Sequence, residues 1–156
     1  MKNLLTLILY VFKNYPSVEE LSKPRLVKLL FLIDWKYAID NGHQFTEIKW
    51  YYNHYGPYVE DVIDLIKTHN DIFYVNAFEN QFGSISEIIS LKEKNINIEV
   101  SKEVKVAADF IIKNTAHMKW TDFITLIYSS YPVKANSQYT ILDLEKDSIR
   151  FNKSRQ

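Results

Sequence analysis

The sequence predicts a mainly α-helical domain with a minor β part (α+β). Five or six helices are expected around one long buried central helix, with a small antiparallel β-hairpin on one side. Three observations predict this. Apolar residues recur three or four apart in successive segments from Leu4 to Ile127. The segment from Leu21 to Asn41 is apolar nearly all round when projected at about 100° per residue, as in a helix enclosed by others. Only two short runs, 72–78 and 85–91, have strand character, and they flank Asn80-Gln81-Phe82-Gly83, a turn. A chain of 156 residues suits one domain with a sizeable core and is short for two. Residues 1–151 are assigned to that domain, and the polar stretch 152–156 to a frayed tail.

Leu4, Leu5, Ile8, Val11 and Phe12 give the first helix an apolar stripe. Met1-Lys2-Asn3 before an apolar run has the outline of a secretory leader. However, Lys13-Asn14-Tyr15-Pro16 offers no small-residue cleavage site, and the run is too short to span a bilayer. Ser17 with Glu20 makes a capping box for a short helix to Leu21. Ser22 caps the central helix, Pro24 fits its first turn, and Gly42 ends it in the left-handed conformation. From Phe45 the period becomes two: Thr46, Ile48, Trp50, Tyr52 and His54 alternate with Glu47, Lys49, Tyr51, Asn53 and Tyr55, an extended segment.

Gly56-Pro57 breaks that segment. Pro57 is expected to start the next helix, with Glu60 and Asp61 in its first turn and Val59, Val62, Ile63 and Ile66 inward. In the hairpin, Phe73, Val75 and Ala77 are expected to face the helices, and 95–100 adds a short extended piece. Ser101 caps the next helix, whose inner face is Val104, Ala107, Ala108 and Ile111. Phe123, Ile124, Ile127 and Tyr128 mark a further helix, ended by Pro132. Residues 139–144 read as extended and 145–151 as a last helical turn.

On the central helix, Arg25, Lys28, Lys36 and Asp40 share one narrow polar arc, and Leu26, Val27, Leu30, Ile33, Tyr37 and Ala38 cover most of the rest. Asp34 breaks the pattern by projecting between Leu30 and Val27. A buried carboxylate is costly unless it is hydrogen-bonded or paired, so Asp34 either anchors a neighbouring segment or faces a pocket or partner. Tyr55, with the amides near Gly56, is the expected donor. That pairing would tie the helix to the Tyr55-Gly56-Pro57 turn.

Composition excludes several functions. Formal net charge is zero, against the basic excess of a dedicated nucleic-acid module. The absence of cysteine removes disulfides, thiolate nucleophiles and cysteine-ligated zinc, and fits the cytoplasm. Three glycines leave no phosphate-cradling loop, and no GxGxxG, Walker, HExxH or GxSxG motif occurs. His43, His54, His69 and His117 lack ligand spacing. Glu19-Glu20 and Glu60-Asp61 lie at helix starts, where the dipole explains them. One carboxylate of unusual environment, Asp34, without a nucleophile or metal beside it, does not make a catalyst, so no enzyme, cofactor or metal is expected. Short helix, turn, long helix also outlines a helix-turn-helix, in which Arg25 and Lys28 would reach base edges. A winged-helix-like DNA-binding regulator is therefore the alternative.

Lys28-Leu29-Leu30-Phe31-Leu32-Ile33-Asp34, then a turn, then Tyr55-Gly56-Pro57 before another helix resembles the two signatures of the Panacea (SocA-like) antitoxin domain family. The resemblance is good from Leu21 to Leu65. Tyr58 stands where family members often carry a small or branched residue. The resemblance implies a bacterial or phage antitoxin that neutralises a toxin encoded beside it by direct protein contact. It also implies a possible adaptor role, delivering the toxin to a AAA+ protease, with no cofactor and no membrane. Contact of that kind needs a desolvated apolar or aromatic centre. The candidates are Asp34, Trp35, Trp50, Tyr51, Tyr52, Tyr55 and Tyr58, with Lys28, Leu29, Leu30, Asp34, Tyr55, Gly56 and Pro57 as the structural motif.

Overall fold

The computed structural model covers residues 1–156. It contains seven α-helices and two small antiparallel hairpins: α1 (Lys2–Asn14), α2 (Lys23–Asn41), β1 (Tyr52–Asn53), β2 (Gly56–Pro57), α3 (Asp61–Thr68), β3 (Phe73–Glu79), β4 (Ile85–Leu91), α4 (Lys102–Thr115), α5 (Trp120–Ser129), α6 (Tyr131–Ala135) and α7 (Leu144–Ser154). A 3-10 turn, Val18–Glu20, joins α1 to α2. The mainly helical class with a minor β part holds. No helix is long and apolar enough to cross a membrane.

Helix α2 is the axis of the molecule. Leu26, Val27, Leu29, Leu30, Phe31, Leu32, Ile33, Trp35 and Ala38 are all buried, on every side of it. Its ends are set locally. The Ser22 side chain accepts from the Arg25 amide at 3.3 Å, Pro24 sits in the first turn, and Gly42 takes φ +82° as the left-handed cap. α4 and α7 pack along α2, and α1 packs on α3. Glu47 closes the start of α1: its carboxylate accepts from the Asn3 and Leu4 amides at 2.9 and 3.2 Å, satisfying donors that a helix leaves free at its N-terminus.

Several expectations need correction. Pro57 does not start a helix. The Tyr58 amide donates to the Tyr51 carbonyl (3.0 Å), closing a two-residue ladder of β1 on β2, and α3 begins only at Asp61. Ser17 makes no side-chain cap, and the three residues after it form the 3-10 turn. Residues 95–100 carry no strand. The helix count is seven because Pro132 lies in the first turn of α6 rather than at the end of α5, which stops at Ser129. The C-terminal residues do not fray at 152. α7 continues to Ser154, and the Asn152 side-chain amide donates to the Ile39 carbonyl at 3.0 Å.

Two expected extended segments find each other. The Tyr52 amide donates to the Thr140 carbonyl (2.9 Å), the Tyr139 amide to the Tyr52 carbonyl (2.7 Å) and the Leu142 amide to the Trp50 carbonyl (2.8 Å). The β3–β4 hairpin turns on Asn80, whose side-chain oxygen accepts from the Phe82 and Ser84 amides at 2.9 and 3.1 Å. Its base is core: Phe73 and Ile89 are buried and Val75 packs against them. Ala77, expected to face the helices, is exposed because the hairpin outruns the helical body.

Candidate functional site

The signature segments meet on either side of one helix, and Asp34 lies on the inner side. Its carboxylate accepts from the Thr46 amide (3.0 Å), the Thr46 hydroxyl and the Trp50 indole N–H (2.8 Å). Desolvation by burial raises its pKa to about 6, while the three donors pull the other way. The carboxylate is held by these donors rather than by a cation. Asp34 anchors the segment after α2, as one of the two expectations had it, but to Thr46 and Trp50. Tyr55 is not its donor, for Tyr55 is 79% exposed.

Of the seven nominated contact residues, three are interior. Asp34 and Trp50 are fully buried. Trp35 is buried, stacked parallel to Tyr131 at 6.2 Å and edge-on to Phe151 at 5.5 Å. Trp50 packs edge-on against Phe31 at 5.5 Å. Asp34 and Trp50 cannot touch a partner without the core opening, whereas Trp35 shows only an edge, in a separate cleft beside Phe110 and Tyr131. Tyr51, Tyr52 and Tyr58 are half-buried, and only Tyr55 is fully presented. Leu29 and Leu30 are core.

The outer side of α2 carries two buried cations, where the sequence suggested a solvent arc. Arg25 donates through Nε to the Tyr15 hydroxyl (3.1 Å) and through Nη2 to the Thr115 and Met118 carbonyls (2.8 Å each), with its guanidinium 4.6 Å from the Phe123 ring centre. It closes the C-terminal end of α4, where carbonyls lack helical partners. Lys28 is 2% exposed. Its ammonium makes one long hydrogen bond, to the Pro57 carbonyl at 3.4 Å, lies 5.4 Å from the Tyr58 ring centre, and has no carboxylate within 4 Å. Desolvation lowers its pKa to about 8. Both residues nominated to read base edges are therefore buried rather than presented on a solvent-facing side of the helix.

Lys28 lines a cleft of about 440 Å3, together with Pro24, Asn53, His54, Tyr55, Tyr58, Glu60 and Trp120. Gly56 lies behind it, between Tyr55 on the lining and the Lys28 stem. At φ +95° it takes a backbone shape that side chains resist, and a Cβ there would lie 3.5 Å from Ile127 and 3.9 Å from the Lys28 Cε. Around the mouth is an exposed aromatic surface. His54 shares a 2.9 Å hydrogen bond with the Tyr139 hydroxyl and lies edge-on to Tyr139 and Tyr55, while Tyr52 packs on Tyr128 at 6.4 Å. Trp120 is 44% and Tyr139 52% exposed. Tyr139 has φ +66°, a strained backbone for a bulky residue, held by the hydrogen bond its N–H donates to the Tyr52 carbonyl.

Sequence reasoning missed the roles of Lys28, Trp120 and Tyr139. A signal existed for Lys28, since a helix apolar on all sides leaves no solvent face for a lysine. None existed for Trp120, which lines the cleft, or for Tyr139, which packs on His54 beside it, since both arrive only through tertiary folding.

A family model described as "Antitoxin SocA-like, Panacea domain" matches residues 26–132, more than half of the chain. No curated protein and no solved structure matches it.

Proposed function

We propose that this chain, which belongs to the Panacea-domain family of SocA-like antitoxins, neutralises a cognate protein toxin by direct contact, in the cytoplasm and without cofactor or catalysis. The observation that carries the reading is the aromatic surface of Tyr55, Tyr58, Trp120 and Tyr139 around the Lys28 cleft. Interface centres of this composition, aromatic groups around a desolvated polar point, supply most of the binding energy in protein complexes. The surface is built by the signature itself: Lys28 comes from the first motif and the Tyr55-Gly56-Pro57 turn from the second. The core members of the motif, Leu29, Leu30 and Asp34, hold those two pieces in register.

Co-expression tests this. The open reading frame beside this one, expressed alone, should stop growth, and growth should return when this chain is supplied. A neighbour that is harmless alone, or toxicity that persists despite soluble expression of this chain, would sink the reading. Immunoblots separate the two modes the family resemblance implies. A toxin blocked by contact stays at constant level, whereas one delivered to a AAA+ protease disappears.

A further inference from the structure

We infer that the Lys28 cleft receives an acidic side chain, Asp or Glu, from the partner protein and pairs it with the Lys28 ammonium. This deepens the antitoxin reading and rests on it for the identity of the partner. Lys28 is almost wholly buried, yet its ammonium meets only one acceptor, a carbonyl at 3.4 Å. A buried ammonium with two donors unspent is a position waiting for an anion. The walls suit a carboxylate carried on a short apolar stem: the Tyr58 ring lies 5.4 Å from the ammonium, with Tyr55 and Trp120 farther out on the lining. Such a wall lowers the local dielectric and strengthens the ion pair.

The floor argues for a side chain rather than a chain terminus. A terminal carboxylate is captured by clustered backbone N–H groups. Here Pro57 has none, and the Tyr58 N–H is already given to Tyr51. One group opposes entry: Glu60 lines the same cleft, exposed at its rim, and does not reach the ammonium. Glu60 therefore serves as a gatekeeping charge, and its removal should favour the incoming acid.

The experiment tracks the Lys28 ammonium by NMR in the full chain, assigned by its loss in Lys28→Met, while three probes are added. These are N-acetyl-glutamate N-methylamide, its glutamine counterpart, and N-acetyl-phenylalanine, which offers a terminal carboxylate. The glutamate probe should raise the Lys28 titration midpoint by about one unit, as an adjacent opposite charge does. The glutamine probe should leave it in place, and Glu60→Gln should tighten glutamate binding severalfold. The inference is overturned if the glutamine probe acts equally, if only N-acetyl-phenylalanine acts, or if no probe acts. It is also overturned if Glu60→Gln alone lowers the midpoint, since Glu60 would then be the partner already. In the growth assay, a folded Lys28→Met that still rescues fully removes this inference and leaves the antitoxin reading intact. Failure of the wild type to rescue removes the antitoxin reading, while the probe titration can still be read.

Discussion

Trp50 donates its indole N–H to the Asp34 carboxylate at 2.8 Å, across sixteen residues and wholly inside the protein. With the two Thr46 donors, this bond fixes the chain leaving α2 against the helix it has just left. Asp34→Ala would strand three buried neutral donors, each costing about 1–3 kcal/mol when left unsatisfied. Asp34→Asn is not benign, because its amide must point N–H groups at the fixed Trp50 N–H or the Thr46 amide. A loss of about 1–3 kcal/mol is expected, that of an unsatisfied buried donor. Urea unfolding of both variants measures this, and wild-type midpoints would contradict it.

The same site predicts a pH dependence. The Asp34 pKa is raised in the fold to about 6, from an ordinary value of 3.8, chiefly by desolvation. A raised pKa means the folded state holds the proton more tightly than the unfolded chain, so stability from this group falls as pH rises. Its contribution is whole below about 3.8 and lost through about 6. The stability difference between wild type and Asp34→Asn should therefore shrink from about pH 4 to about pH 7. A difference that grows over that window would show that the three donors outweigh burial.

Gly56→Val should destabilise the fold whatever the partner. At φ +95° a branched side chain is strained, even though its Cβ would meet Ile127 at an ordinary 3.5 Å. The backbone penalty alone is about 1–2 kcal/mol. A thermal melt checks it, and an unchanged midpoint would count against the claim.

Arg25→Lys tests the other buried cation. A lysine keeps the charge but lacks the planar fork that spans the Tyr15 hydroxyl and two carbonyls. A loss of about 1–3 kcal/mol is expected from the acceptors left unmet, read by the same urea titration. Wild-type stability would mean the C-terminal end of α4 does not depend on this residue.

What could be read from the sequence divides by range. The ends of α2 were legible because Ser22, Pro24 and Gly42 act on their own neighbours. That Asp34 needed donors was legible as well, but their identity was not. Tyr55 and Thr46 both carry hydroxyls, and only the path of the chain after Gly42 decides between them. Pro57 misled for a related reason: proline suits a helix start, yet the ladder bond from Tyr58 to Tyr51 holds the chain extended, and the helix waits until Asp61. Pro132 misled in the opposite sense, starting α6 where it was expected to end α5. The cleft itself was illegible, since its walls come from α2, the 53–60 segment and the start of α5.

Tyr55→Ala separates surface from core. Tyr55 is 79% exposed, makes no hydrogen bond through its hydroxyl, and touches His54 only edge-on at 6.4 Å. Its loss should leave the melting temperature within error of wild type, as substitutions at exposed, unbonded positions usually do. If the aromatic surface is the neutralising face, the same variant should bind the toxin at least about 30-fold more weakly, the penalty of roughly 2 kcal/mol that marks a central aromatic contact. Trp50→Phe supplies the contrast. It sits in the core, loses the bond to Asp34, and should lower stability while leaving the affinity of the folded fraction unchanged. Thermal melts paired with a pull-down titration of the toxin read both quantities. A Tyr55→Ala variant that is stable and binds as wild type would move the neutralising surface away from this cleft, because no other tyrosine or tryptophan around it is so fully presented.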